Sequence, residues 1–253
     1  MSAHLADPFV EPTLRKRALI TGASSGMGEA IARAFSKAGF DVALVARSAD
    51  KLLALAQELT SLGGRAQHFV IDLSKIETVK AELVAAIAQF GPIDVLINNA
   101  GMGYTGSLAD MPLADWQQVI TLNVTSVFQA VQAALPQLRQ SDSGLIINIA
   151  SIAARQAFPN WGAYGVSKAA LVALSGAIAA EESANGVRVV TVSPGAVNTP
   201  IWDAPSVQTA VASFDRTAMM SPATVAQTVL HTALLPPSAV ISHLTITPAQ
   251  GAL

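Results

Sequence analysis

The sequence predicts a single α/β domain, doubly wound around a mainly parallel sheet of about seven strands. Short, nearly all-apolar runs rich in β-branched residues alternate with longer stretches whose apolar residues recur at helical spacing. The short runs are apolar throughout instead of alternating with polar residues, the pattern of strands covered on both faces. No linker-like segment or internal repeat divides the chain, and 253 residues suit one such domain. Repeated strand–helix–strand order implies parallel neighbours joined by right-handed crossovers.

Residues 1–13 read as a loosely held extension and residues 14–253 as the domain. Arg17 to Thr21 (RALIT) is the first strand, followed by glycines and a helical stretch through Ala38 that Gly39 closes. Asp41 to Ala46 (DVALVA) is the second strand. Asp50 to Ser61, with leucines at helical spacing, is a helix ended by Gly63-Gly64. The pattern repeats in His68 to Ile71, a helix over about Ile76 to Gln89, and Ile93 to Ile97. After a longer helical region come a strand at Leu145 to Ile149, a helix over about Trp161 to Ser183 and a strand at Val187 to Val192. A last strand lies near Val240 to Thr247.

Composition narrows the function. A net charge of −2 and a pI near 6.1 offer no basic face, so nucleic acid is not an expected partner. The absence of cysteine excludes a disulfide framework, a thiolate zinc site and a cysteine nucleophile, and is compatible with a reducing cytoplasm. His4, His68, His231 and His243 lie far apart without ligand spacing, so no metal site is expected. Every apolar run is broken by a polar residue before about 18 positions, so no membrane-spanning helix is expected. Met1 to Pro12 has neither the basic start nor the apolar core of a secretory signal. The triplet Asn123-Val124-Thr125 is therefore read as a chance match to a glycosylation acceptor.

Thr21 to Gly28 (TGASSGMG) stands between the first strand and the first helix. Glycines there permit a tight turn and close backbone approach to a pyrophosphate, which the helix N-terminus favours. Gly22, Ser24, Ser25, Gly26, Met27 and Gly28 are thus candidate cofactor residues, with the spacing G-x-x-x-G-x-G. At the end of the second strand an acid would bind a ribose 2′-hydroxyl, whereas an arginine receives a 2′-phosphate. Here Arg47 and Ser48 follow Ala46, and the first acid is Asp50. The guanidinium fork suits phosphate, so NADP(H) is the expected preference with NAD(H) still possible.

Tyr164 and Lys168 are four residues apart on a predicted helix and so share a face. A cation beside a phenol favours the phenolate and brings proton exchange toward neutral pH. Ser151 follows the strand Leu145 to Ile149, at the carboxyl edge where open α/β sheets bind ligands. Its hydroxyl is placed to hold a substrate oxygen while Tyr164 delivers a proton.

With these residues in hand, the chain resembles the short-chain dehydrogenase/reductase family, from Arg17 to the C-terminus. The matches run in the family's order: Thr21 through Gly28, Asp72, Asn98-Asn99-Ala100-Gly101, Asn123, Ser151, Tyr164, Lys168, then Pro194-Gly195 and Thr199. The resemblance implies a Rossmann fold and a hydride transfer between nicotinamide and a carbonyl or alcohol carbon. It makes Tyr164 the general acid or base, Ser151 the holder of the carbonyl oxygen, and Lys168 a ligand of the nicotinamide ribose that lowers the tyrosine pKa. Asn123 would help hold a water linking Lys168 to solvent. Asp72, beside Leu73, would meet the adenine amino group, and Asn99-Ala100-Gly101 would pack on the adenosine ribose. Pro194, Gly195, the Val197 backbone and Thr199 would lie at the carboxamide.

The segment after Pro194-Gly195 carries Ile201, Trp202, Val207, Val211 and Phe214, and Tyr104, Ile152, Phe158 and Trp161 are further wall candidates. These side chains suit an apolar or aromatic ketone better than a phosphorylated sugar. A carbonyl reductase or alcohol dehydrogenase of broad scope is the leading reading. A 3-oxoacyl-(acyl-carrier-protein) reductase of fatty-acid synthesis is the alternative, mildly disfavoured because no basic patch awaits an acidic carrier. A non-catalytic dinucleotide sensor would be expected to lose Tyr164 or Lys168, and both are present. The resemblance also implies that the charge-free stretch Ala169 to Ala180 packs on a partner helix, in a homodimer or homotetramer.

Overall fold

The computed structural model describes residues 15–207 and 215–251, so the expected N-terminal extension, Val211 and Phe214 lie outside the described residues. Its strands are β1 (Arg17–Thr21), β2 (Asp41–Ala46), β3 (Ala66–Val70), β4 (Val95–Asn98), β5 (Leu145–Ile149), β6 (Arg188–Pro194) and β7 (His243–Ile246). They form one sheet in the order β3-β2-β1-β4-β5-β6-β7. Every pairing is parallel, so the sheet expected to be mainly parallel is wholly so. The chain is a single Rossmann-like domain.

The helices are α1 (Gly26–Lys37), α2 (Ala49–Ser61), α3 (Ile76–Phe90), α4 (Leu113–Ile120), α5 (Ser126–Leu138), α6 (Gly162–Glu182) and α7 (Pro222–Ala233). Two cores result, one per sheet face. Ile20, Leu44, Ile97, Ile147 and Val192 meet Ile31 and Phe35 of α1, Leu52 of α2 and Val229 of α7. Leu19, Val45, Leu96, Ile146 and Val189 meet Leu83 of α3, Val131 of α5 and Leu171 of α6. Alternation along each strand sends successive apolar side chains into opposite cores, which is why the strands carry almost no polar positions.

β1, β2 and β5 have the expected bounds, and the other strand and helix ends differ from the sequence expectation by up to three residues, since fraying and caps blur boundaries. One element, α7, was not anticipated. Its signals stand in the chain: Ser221 accepts a hydrogen bond from Thr224 N at 3.1 Å, and Pro222 opens the first turn. The expected longer helical region is α4 and α5, joined by a π-helical turn at Thr121–Thr125. Two stretches, Leu113–Leu138 and Gly162–Asn185, are long and apolar enough to cross a membrane by length and composition. The sequence reading expected none. Both lie against the sheet, α5 on β4 and α6 on β6, and covering that sheet accounts for the apolarity of their inward faces.

The winding reverses between β1 and β4, which sit side by side although separated in sequence by β2 and β3. A crevice opens at the carboxyl ends of strands at such a point. The loops after β1, β4, β5 and β6 all reach it.

Candidate active site

The crevice begins at the glycine turn after β1. Gly22 and Gly26 adopt φ of +67° and +58°, values that side-chain-bearing residues rarely take. At Gly28, a Cβ would stand 2.1 Å from the Gly22 carbonyl oxygen and 2.6 Å from Asn99 Nδ2. Only bare backbone fits. Asn99 fastens this turn to β4, donating from Nδ2 to the Thr21 and Gly22 carbonyls at 3.0 and 3.3 Å. Thr21 Oγ1 accepts from the backbone N–H groups of Asn99 and Ala100 at 3.0 and 3.1 Å. The Ser25 side chain does not cap α1, leaving the dipole-bearing first turn for an anionic ligand.

A groove runs from this turn along the ends of β2, β3 and β4. Its lining includes Gly22, Ser24, Ser25, Gly26, Met27, Arg47, Asp72, Leu73, Asn99, Ala100, Gly101 and Thr199, twelve of the sequence candidates. Lys51, on the first turn of α2, lines it as well, beside Arg47 and Ser48. Sequence reasoning missed Lys51, although a cation four residues after Arg47 at a helix start was a readable signal. The Asp72 carboxylate accepts from Ser74 N and Ser74 Oγ at 3.1 and 2.7 Å. Its pKa lies below the ordinary value: burial pushes it up, but the Ser74 hydrogen bonds and the Arg47 and Lys75 charges outweigh that. A long groove with a bare turn, a helix N-terminus and two cations at one end has the donor set of a phosphorylated dinucleotide site.

Past Met27, Thr199 and Ile201, which line both spaces, the groove meets a second, mostly apolar cavity. Ser151, Ile152, Phe158, Trp161, Tyr164, Pro194, Gly195, Val197 and Trp202 are among its walls. Trp161 stands edge-on to both Tyr164 and Trp202, with ring centroids 5.4 and 5.6 Å apart. Trp202 Nε1 donates to the Val197 carbonyl at 2.8 Å, fixing the indole over the cavity. Two of the described wall candidates, Val207 and Tyr104, are not among the residues lining this cavity: Val207 is fully buried, and the Tyr104 phenol donates to Asp115 of α4 at 3.1 Å. Asp115, three residues into α4, draws it there.

Ser151, at the end of β5, is hydrogen-bonded to Tyr164, and its Oγ also accepts from Ala153 N at 3.1 Å. The two hydroxyls expected to converge do so. Lys168 Nζ lies 5.7 Å from the Tyr164 ring centroid and donates to the Ile149 carbonyl at 2.8 Å. Burial pushes the Tyr164 pKa above 10, only partly opposed by the Ser151 hydrogen bond. The expected lowering of this phenol by Lys168 is therefore corrected: burial penalises the charged phenolate more than its neighbours support it. Burial also brings Lys168 down to about 8.

Asn123 sits in the π turn, buried, with its amide fully used. Nδ2 donates to Met102 O and Ser167 Oγ at 3.0 and 2.9 Å, and Oδ1 accepts from Met102 N at 2.8 Å. Its side chain ties the loop after β4 to α6, just behind Tyr164. Gly28, Asn123 and Lys168 line neither space yet brace the residues that do.

Comparisons with known proteins agree with this fold. The family model described as short chain dehydrogenase matches residues 16–209. The chain is 37% identical to D-threitol dehydrogenase of Mycolicibacterium smegmatis over 194 residues, 75% of each chain. It is 34% identical to the 3-oxoacyl-[acyl-carrier-protein] reductase of Staphylococcus aureus over 192 residues, 76% of this chain and 78% of that protein. Among solved structures, an alcohol dehydrogenase from the archaeon Thermococcus sibiricus complexed with 5-hydroxy-NADP superposes with a TM-score of 0.85 at 30% identity. That match covers 94% of this chain and 99% of that one. With a family model matching residues 16–209 and relatives and a solved structure of this likeness, the chain belongs to the short-chain dehydrogenase/reductase family and is an oxidoreductase.

Proposed function

We propose that this enzyme is an NADPH-preferring reductase of neutral ketones, reversible toward secondary alcohols, with Tyr164 as proton donor. The observation that carries the reading is the hydrogen-bonded Ser151–Tyr164 pair on the wall of an aromatic cavity that opens onto the dinucleotide groove. NADP would lie with its pyrophosphate on Gly22 to Gly28, its adenine end near Asp72, Leu73 and Asn99 to Gly101, and its 2′-phosphate at Arg47 and Lys51. Pro194, Gly195, Val197 and Thr199 would hold the carboxamide. When bound, the nicotinamide supplies the hydride.

The protein's own groups do the rest. Ser151 Oγ and Tyr164 Oη together bind the substrate oxygen and orient the carbonyl. Tyr164, a neutral phenol at physiological pH that burial makes harder still to ionise, passes its proton to that oxygen as charge develops on it. Protonated Lys168 supports the resulting phenolate, and Asn123 fixes the loop that packs against it. Ile152, Phe158, Trp161 and Trp202 exclude water and favour apolar or aryl substituents.

Relatives named for a thioester substrate keep the 3-oxoacyl-carrier reductase as the alternative. Initial rates with NADPH and NADH across aryl ketones, alkyl ketones, polyols and 3-oxoacyl thioesters test the proposal. The expected result is turnover of neutral ketones that prefers NADPH and is lost in Tyr164→Phe. Turnover confined to thioesters would reject it. The apolar outward side of α5 and α6, where Phe128 and Val166 are exposed, supports assembly as a homodimer or homotetramer.

A further inference from the structure

We infer that Asn148 and Ser175 are positioning residues: a buried amide–hydroxyl rung that fixes how far α6 slides along β5, and thereby sets the Ser151–Tyr164 contact. The inference rests on the catalytic reading of Tyr164 given above.

α6 has few large side chains with which to hold its place on the sheet. The side of this helix that meets the sheet is the stripe Tyr164, Lys168, Leu171, Ser175, Ile178, Glu182, spaced as one helical face. Only Leu171 and Ile178 on that stripe are large aliphatic residues. Around them on the side toward the sheet, Ala163, Ser167 and Ala179 are small, and Leu174 is only partly buried. Such a surface has shallow ridges, so apolar packing alone selects its axial register weakly.

Polar groups supply what the apolar ones do not. Asn148 Nδ2 donates to Ser175 Oγ at 2.8 Å, and Ser175 Oγ donates to the Leu171 carbonyl at 2.7 Å. One residue on along β5, the Ile149 carbonyl accepts from Lys168 Nζ at 2.8 Å. These two rungs join neighbouring positions of β5 to points seven residues, nearly two turns, apart on α6. Ser151 follows three residues after Asn148 and Tyr164 precedes Lys168 by one turn, so the rungs brace the frame that brings both hydroxyls together. Asn98 Nδ2 donates to Asn148 Oδ1 at 2.8 Å across the paired positions of β4 and β5, locking the amide's orientation. Asn98, Asn148 and Ser175 are all buried, where polar groups cost stability unless they are bonded. Buried polar pairs of this kind define register where hydrophobic contact would tolerate several.

The test compares Ser175→Ala, Ser175→Thr and Asn148→Leu with the parent enzyme and with Tyr164→Phe. The readouts are kcat, KM, the pH profile of kcat, melting temperature and the Kd for NADPH from its fluorescence. Ser175→Ala and Asn148→Leu are expected to lose about tenfold in kcat, a barrier increase of about 1.4 kcal/mol. KM and the NADPH Kd should stay within about twofold, and the pH-profile limb should move. Ser175→Thr, which keeps the hydroxyl, should restore both kcat and profile. If Ser175→Ala retains kcat within about twofold, or if its loss merely follows melting temperature and NADPH affinity, the inference is overturned. Should Asn148→Leu fail to fold, the Ser175→Ala and Ser175→Thr pair decides alone. Persistent turnover in Tyr164→Phe would instead defeat the catalytic reading itself, and the inference with it.

Discussion

Lys168 shows how burial alone moves a titration. Its folded pKa of about 8 lies below the ordinary 10.5, so between these values the unfolded chain binds a proton that the folded chain does not. Stability contributed by this residue therefore rises with pH across that window. The melting temperature of the parent enzyme relative to Lys168→Met is expected to climb from pH 8 to pH 10. Activity should move the opposite way, because the neutral amine no longer supports a phenolate: reductive kcat should fall as pH passes about 8. Tyr164 has the opposite sign for stability, since the folded chain keeps a phenolic proton that the unfolded chain releases above pH 10. Gly28 is the other sharp residue-scale case. A Cβ there collides with Gly22 O, so Gly28→Ala must force the turn apart. An overpacked contact of this type costs about 1–3 kcal/mol. The expected result is a melting temperature lower by several degrees and an NADPH Kd raised about tenfold or more, read by calorimetry and fluorescence.

At the scale of elements, Arg216 ties together several parts of the segment after β6. Arg216 donates to Asn198 Oδ1 at 3.0 and 2.7 Å, to Asp203 Oδ1 at 2.6 Å and to the Thr199 carbonyl at 3.3 Å. It thus pins the stretch that carries Thr199 and Trp202 to both the groove and the cavity. The pair with Asp203 is partly solvent-exposed, so it is worth about 1 kcal/mol or less and is screened by salt. Arg216→Ala is expected to raise KM about three- to tenfold with a smaller effect on kcat. Raising ionic strength should weaken the parent enzyme in the same direction.

The elements also show what the chain alone reveals. β1 to β6 were readable because a doubly covered strand must be apolar throughout, and α1 was readable from the glycine turn before it. α7 escaped because its Ser-Pro start adjoins a loop rich in turn residues, although Ser221 and Pro222 are ordinary cap signals. Tyr164, Ser151 and the glycine turn were legible as spaced motifs. The Asn148–Ser175 rung was not, since no local pattern links positions 27 residues apart that meet only once β5 and α6 pack. Nor could spacing assign Tyr104, whose direction depends on where α4 places Asp115. The tyrosine pKa was misjudged for the same reason: burial is a property of the assembled fold.

For the whole molecule, the proposed assembly gives the plainest expectation. Phe128 on α5 and Val166 on α6 are exposed apolar residues on the outward side of helices that cover one face of the sheet. Light scattering at micromolar concentration should give the mass of two or four chains of 26.0 kDa. Replacing Phe128 and Val166 together with lysine should shift that mass toward one chain, because desolvating unpaired charge at a contact is costly. A single-chain mass for the parent protein would end the proposal.

The reversal of winding between β1 and β4 has an evolutionary corollary. On the proposed reading, the residues that would grip the nucleotide follow β1, β2, β3 and β4, while the proposed reacting hydroxyls belong to the loop after β5 and to α6, and the two sets share a seam at Met27, Thr199 and Ile201. Changes at residues 47–51 should therefore leave the proposed proton donor undisturbed, and changes at 152–161 should leave the coenzyme groove intact. A lineage with this architecture is free to exchange one coenzyme for the other, or one carbonyl compound for the next, in separate steps that need not await each other.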